Sequence, residues 1–268
     1  MSVELSVVVP AHNEAGNIAQ LALEVSAALT DHSFELILID DGSSDDTAAE
    51  ALRLRSSVPQ LRLLRHPQRR GQSAALVSGV MAARAPWIAT LDGDCQNDPR
   101  DITVLVAARD AAANPDLRLI MGQRVTRRDT PWRRLQSKVA NGVRGWLLND
   151  GTPDTGCGIK LFHRDTFMAV PRFNHMHRFL PALFQREGSQ VISVPVNHRP
   201  RHSGRSKYGM LGRLTAGIID LAGVMWLIRR RCHSSVRELT EPAALVNSSA
   251  PAPVGDPHWE AKVRRSGS

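Results

Sequence analysis

Tyrosine occurs once in this chain and phenylalanine six times, too few aromatics to build a stacking platform for single-stranded nucleic acid. Cysteine is equally sparse. Cys95, Cys157 and Cys232 are odd in number and unrelated in spacing, which excludes a disulfide framework and offers no zinc-ligand pattern. The 19 glycines and 16 prolines follow no period, so collagen-like repeats are excluded. A run of about 18 uncharged apolar residues, the least a spanning helix needs, is absent. The nearest approach, Met210–Ile228, is interrupted by Arg213 and Asp220. The N-terminal Met-Ser-Val-Glu-Leu-Ser has no basic stretch leading into an apolar one, so no secretory leader is expected. Two phosphate-binding fingerprints are also missing: G-x-G-x-x-G after the first apolar run, and G-x-x-x-x-G-K-S/T anywhere.

What the chain does have is a core and a charge. Over 268 residues, 42% are hydrophobic and 22% charged, an ordinary globular balance that excludes wholesale disorder. Lysine and arginine number 34 against 26 acidic residues, a net charge of +8. Such a surface attracts polyanions: nucleic acid, anionic lipid headgroups or phosphorylated small molecules. The basic residues fall in separate clusters rather than one tail, so charge alone does not choose the partner.

The first 125 residues repeat one theme. Apolar, β-branched runs at Leu5–Val9, Phe34–Ile39, Leu61–Leu64, Trp87–Leu91 and Leu117–Met121 alternate with helical spacing over Ala15–Leu29, Asp46–Leu54, Gln72–Arg84 and Asp101–Ala112. Strands apolar on both faces and separated by helices predict an α/β fold: a mostly parallel sheet covered by helices on both sides. Right-handed crossovers then bring the strand ends together along one edge, where ligands bind in open sheets.

Polar clusters follow four of these strands: Pro10-Ala11-His12-Asn13-Glu14, Asp40-Asp41-Gly42-Ser43-Ser44-Asp45, Asp92-Gly93-Asp94 with Gln96 beyond, and Gly122-Gln123-Arg124. Two carboxylates one residue apart at a strand end can share a hard divalent cation with substrate phosphates, which suits Mg²⁺ or Mn²⁺. A solvated acidic turn would look the same, and only the convergence of clusters favours the ion. Asp40 and Asp41 can cap the next helix or accept from a base or ribose. His12, a lone histidine, is assigned binding at most.

Past Arg124 the pattern changes. Pro131–Asn149 reads as a helix with Trp132, Leu135, Val139, Val143, Trp146 and Leu147 on one side and Arg133, Arg134, Lys138 and Arg144 elsewhere. It suits a membrane interface, and equally a core-packed helix with a solvated basic face. In Met210–Ile228, two central charges would cost about 2.5–3.5 kcal/mol each to bury in lipid, so lying in the interface is cheaper than spanning. Arg229-Arg230-Arg231 closes that helix. The expected organisation is an α/β domain at 1–205, an amphipathic interfacial helix at 206–232 and a polar, disordered tail at 233–268.

Taken in order, VVVPAHNE, IDDGSSDDT, GQSAALVSG, LDGDCQNDP and MGQR resemble the family 2 glycosyltransferases with the GT-A fold. DTGCGIKLF and RSKYG narrow the resemblance to polyprenyl-phosphate glycosyltransferases of the dolichol-phosphate mannosyltransferase type. That resemblance covers roughly Val3 to Arg231. It implies a nucleotide-sugar site at Pro10, His12, Glu14, Ile39, Asp41, Asp92, Gly93, Asp94, Gln96 and Arg124, with Asp92, Asp94 and Gln96 around Mg²⁺ or Mn²⁺. Asp92, Asp94 and Arg124 would carry catalysis. Arg133, Arg178, Arg201 and Lys207 would meet the acceptor phosphate, and Asp154 lies in the acceptor loop without an assigned role.

The function so implied is transfer of a hexosyl group, mannose from GDP-mannose, to polyprenyl or dolichyl phosphate with inversion. The alternatives are a UDP-sugar donor (glucose or an aminosugar) with undecaprenyl phosphate or a saccharide as acceptor, and more remotely a nucleic-acid-binding module. No helix-turn-helix, RRM or KH signature supports the last, and no nucleic acid partner is expected. The polar tail implies a peripheral enzyme at the cytoplasmic face of an anionic membrane, or one docked to a separate membrane-anchoring protein. Cys95 reads as a small buried residue rather than a reactive thiol.

Overall fold

The computed structural model describes residues 3–125, 142, 144–145, 147–148, 150–199 and 210–231, with the backbone alone over 210–216. Its centre is a seven-stranded sheet in the order β3-β2-β1-β4-β6-β5-β7. The strands are β1 Leu5–Ala11, β2 Phe34–Asp40, β3 Leu61–Arg65, β4 Trp87–Thr90, β5 Leu117–Arg124, β6 Lys160–His163 and β7 Gln190–Val196. Only β6 runs against its neighbours, β4 and β5. The other pairings are parallel.

Period-two alternation explains the two apolar layers. Val7, Val9, Leu36 and Leu38 pack on one face with Ile18, Leu21 and Val25 of α1 (Ala15–Ala28) and Ile102 and Leu105 of α4 (Asp101–Ala112). Val8, Ile37 and Ile39 pack on the other face with Ala75, Leu76 and Val80 of α3 (Gln72–Ala82). A short α2 spans Thr47–Arg53. The second face is completed by α5 (Arg164–Ala169), α6 (Leu180–Arg186) and α7 (Met210–Arg229). Both faces are therefore sealed, as the continuous apolar strands require. The body from Met1 to Arg231 forms one compact unit that includes α7.

The chain passes from β1 outward to β2 and β3, then returns to place β4 on the other side of β1. The carboxyl ends of β1 and β4 thus flank a topological switch point, where an open sheet leaves a crevice. β1 continues through Pro10 to Ala11, two residues beyond the apolar run that ends at Val9. The last β1–β4 pair is Val8 with Thr90, so the missing N–H of Pro10 removes no ladder bond.

The helix expected at 131–149 falls mostly outside the described residues, although the backbone at 142, 144–145 and 147–148 is helical. Arg144 corrects the expectation of a solvated basic face. It is buried and donates to Asp150 Oδ1 at 3.1 Å and to the Thr152 carbonyl at 3.0 Å. Burial lowers its pKa, the Asp150 charge acting in the opposite sense. Leu148 joins the apolar layer under α3 and α6.

Candidate active site

At the switch point lies a cavity of about 450 Å³. Three of the four polar clusters reach it: Pro10 at the end of β1 with His12 and Glu14 beyond it, Asp41 after β2, and Asp92, Gly93 and Asp94 after β4. The loop leading into α3 adds Arg69 and Gly71, and the first residue of α3 adds Gln72. The turn before β6 adds 155–158, β6 adds Lys160, and a 3₁₀ turn (Met176–Arg178) adds His177 and Arg178.

Asp41 carries the architecture of one wall. Its Oδ1 accepts from Arg70 N at 2.8 Å and His66 Nδ1 at 2.8 Å, and its Oδ2 from Gly71 N at 2.8 Å. Burial alone would raise its pKa, but the His66 bond and the two backbone donors outweigh that and hold it below the carboxylate range. Gly42 makes the turn possible: its φ is +64°, and a Cβ there would stand 2.5 Å from Arg69 N. His12 Nδ1–H donates to the Asp41 carbonyl at 2.9 Å, fixing the ring against the cavity.

Asp92 is held from several directions. Its Oδ1 accepts from Gln72 Nε2 at 2.9 Å, and its backbone N–H donates to Asn97 Oδ1 at 3.3 Å. Burial, then the nearby Asp94 charge, push its carboxyl upward, while Lys160, Arg124 and the Gln72 bond pull the other way. Lys160 is buried at the cavity floor and donates to the Cys157 carbonyl. Burial lowers its amine and the Asp92 charge opposes that.

Arg124 stands beside the cavity rather than in its lining. Its Nε and Nη2 fork onto Asp154 Oδ2 and Oδ1, each at 2.7 Å. Burial would lower its pKa, but the Asp154 bonds and charge raise it overall. Gripping a donor phosphate would therefore require exchange of one acid for another, and Asp154, left without a role by the sequence, is the partner that presets the arginine.

The remaining assignments divide. Ile39 is fully buried between the sheet and α3, so its side chain is core and only its backbone faces the strand end. The Gln96 side chain is not in the lining, although its N–H donates to Asp94 Oδ1 at 3.2 Å. Arg178 is exposed at the cavity. Arg133, Arg201 and Lys207 lie outside the described residues. Cys95 is buried, contacts the Asn17 carbonyl at 3.4 Å and is pushed up to about 11 by burial, so the thiol is structural.

The acidic turn is braced from β7. Arg199 pairs with Asp98 at 2.9 Å, and its N–H donates to the Gln96 carbonyl at 2.9 Å. Burial would raise the Asp98 carboxyl, yet bonds from Arg100 and Arg199 hold it at about 2. A folded value below the unfolded one gives stability present above the ordinary 3.8 and lost as pH falls toward 2. Asp98→Asn is expected to cost about 1–2 kcal/mol in urea denaturation at neutral pH, the exposure of Arg100 discounting the shift, and to cost little at the acid end.

Sequence reasoning used DTGCGIKLF only for the resemblance, gave Lys160 and the 155–158 turn no site role, and left out His177. The Gly-Cys-Gly run between Asp154 and Lys160 was the available signal for the turn. Nothing in the sequence marked His177.

Among the described residues no group of three or more His, Cys, Asp or Glu can hold a metal unaided. Two carboxylates open to one cavity still fit Mg²⁺ or Mn²⁺, which takes one or two protein carboxylates and completes its sphere with water and substrate phosphates.

A switch-point crevice carrying an acidic D-x-D turn, on this sheet, defines a GT-A glycosyltransferase fold. The solved structures agree. Glucosyl-3-phosphoglycerate synthase from Mycobacterium tuberculosis in complex with UDP superposes with a TM-score of 0.65 at 22% identity, over 87% of this chain and 83% of that one. Its complex with Mn²⁺, UDP and phosphoglyceric acid gives 0.64 at 20% identity, over 87% and 81%. The model of glycosyl transferase family 2 matches residues 6–177.

Relatives extend the match. A dodecaprenyl-phosphate galacturonate synthase of Rhizobium johnstonii is 37% identical over 239 residues, 87% of this chain and 69% of that protein. An undecaprenyl-phosphate 4-deoxy-4-formamido-L-arabinose transferase of Edwardsiella ictaluri is 31% identical over 212 residues, 77% of this chain and 63% of that protein. This chain thus spans about two thirds of the length of these relatives. It belongs to glycosyl transferase family 2.

Proposed function

We propose that the protein transfers a sugar from a UDP-sugar to a polyprenyl phosphate at a membrane surface. The observation that carries the reading is the convergence of three strand-end clusters on one switch-point cavity, with Asp92 and Asp94 side by side in it. Named relatives that act on dodecaprenyl or undecaprenyl phosphate support the acceptor, and UDP in the M. tuberculosis enzyme supports the base. The GDP-mannose donor expected from the sequence gives way to this UDP-sugar alternative, because no relative described above is a mannosyltransferase.

The chemistry asks little of a general base, since a lipid phosphate is already an anionic nucleophile at neutral pH. Asp92 and Asp94 would hold Mg²⁺ or Mn²⁺, which when bound offsets charge on the diphosphate leaving group. Gln72 fixes the Asp92 carboxylate for that task. Arg178, and Arg124 once released from Asp154, supply cations suited to phosphates. The cavity would orient the donor for in-line attack with inversion, so positioning supplies much of the rate.

The membrane surface is supported by α7. Ile218, Ile219 and Trp226 are exposed on it, and Arg229 and Arg230 follow, also exposed. The opposite side packs on the body through Val224 and Leu221. No helix among the described residues is long and apolar enough to cross a membrane. Lying in an anionic interface at the cytoplasmic face matches that helix.

The test is a donor screen with purified protein, Mn²⁺ or Mg²⁺, and polyprenyl phosphate in anionic liposomes, read by mass spectrometry. A glycolipid from a UDP-sugar, lost on adding EDTA, is the expected result. Turnover of GDP-mannose alone would overturn the donor, and UDP-sugar consumption without a lipid product would overturn the acceptor.

A further inference from the structure

We propose that His177 is a specificity-determining residue for the donor sugar, its ring Nε2 hydrogen-bonding a hydroxyl of the transferred group. The inference rests on the UDP-sugar reading above and names the part of the site that would select the sugar.

The imidazole is fixed from behind. Its Nδ1 lies 2.8 Å from Ser73 Oγ in the first turn of α3, one residue from the Gln72 that holds Asp92. The carboxylate proposed to face the diphosphate and the imidazole proposed to face the sugar are thus set by consecutive residues of one helix, so their spacing is rigid. The 3₁₀ turn carrying His177 is pinned on its other side. Met176 and Phe179 are buried, and His175, at φ +66°, places its Nδ1 2.7 Å from Asp220 Oδ2 of α7.

The front of the ring is open. His177 lines the cavity, and Nε2 has no partner among the described residues. Nε2 is thus placed to exchange solvent for a hydrogen bond from a ligand in the cavity. Burial, with the Lys160 and Arg178 charges adding to it, pushes the imidazole down to about 3, so the ring stays neutral at physiological pH. A neutral ring with one free nitrogen is no proton shuttle at pH 7 and a poor partner for phosphate beside Lys160 and Arg178. It suits the directional reading of one hydroxyl. A site built to hydrogen-bond a substrate hydroxyl discriminates strongly against analogues that misplace it.

The experiment compares UDP with UDP-sugars on the full chain carrying His177→Phe, His177→Gln or Ser73→Ala. Calorimetry gives UDP affinity, and steady-state kinetics give kcat/KM for the accepted sugar and its epimers. His177→Phe is expected to bind UDP within about twofold of wild type while kcat/KM for the accepted UDP-sugar falls about tenfold or more. The preference over epimers should shrink with it. His177→Gln, which keeps a hydrogen-bonding group, should recover part of the loss, and Ser73→Ala, which frees the ring, should show a smaller loss in the same sugar-dependent sense. If His177→Phe does not fold, the other two variants decide. Parallel loss of UDP and UDP-sugar binding, or an unchanged epimer ratio, overturns the proposal. Wild-type protein that binds neither UDP nor any UDP-sugar overturns the functional reading itself, a result visible without any variant.

Discussion

Asp94→Ala is expected to lower turnover about a thousandfold or more. Asp92 is woven into the frame through Gln72 and Asn97, so its loss would disturb structure and chemistry together. Asp94 opens to the same cavity and accepts from the Gln96 N–H two residues on at 3.2 Å. Removing it takes away half of the pair proposed to hold the cation. The readout should include Mn²⁺ binding in the presence of UDP, followed by electron paramagnetic resonance. Loss of both activity and Mn²⁺ binding from a folded variant is expected. Near-normal turnover in such a variant would remove Asp94 from the metal site.

How far the sequence carries this site depends on what each residue does. The five strands from Leu5 to Met121 were legible because sheet strands covered on both sides need apolar residues on both, and their positive signal is continuous. β6 was not. Its four residues, Lys160–His163, begin and end polar, and the strand exists because β4 and β5 leave a gap that an antiparallel segment fills. β7 is partly exposed along most of its length and takes its form from β5.

The site shows the same division. Asp92, Asp94, His12 and Glu14 were visible because they follow strands whose ends must converge. Asp41 was visible as an acid at a strand end, but its three-way bond to His66, Arg70 and Gly71 depends on a turn some 30 residues away. Arg144 sits on a helical pattern whose polar side suggested solvent, and Asp150 draws it inside. His177 and Lys160 enter the cavity through tertiary packing alone, which no local period encodes.

The turn before β6 gives the most demanding test of this geometry. Gly158 presses its backbone against the Asp92 carboxylate. A Cβ there would fall on Asp92 Oδ2, stand 2.5 Å from Asp92 Cγ and lie 2.7 Å from Asn97 Oδ1. No left-handed φ is involved, so any effect of Gly158→Ala comes from contact rather than from backbone preference. The aspartate has few places to go. Gln72 holds its Oδ1, Asn97 receives its backbone N–H, and the Gly158 carbonyl is itself anchored by Thr90 Oγ1 at 2.8 Å. The methyl group must therefore turn the carboxylate away from Gln72 or push the 155–158 turn into the cavity. Overpacking of this kind costs about 1–3 kcal/mol, and a carboxylate moved by about 1 Å costs about a hundredfold in rate. Gly158→Ala is expected to unfold at a lower urea midpoint and to lose about two orders of magnitude in kcat, with UDP-sugar affinity less affected than Mn²⁺ affinity. Unchanged Mn²⁺ binding with full activity would show that the Asp92 carboxylate is free to move, and that the close packing of Gly158 against it does not set the site.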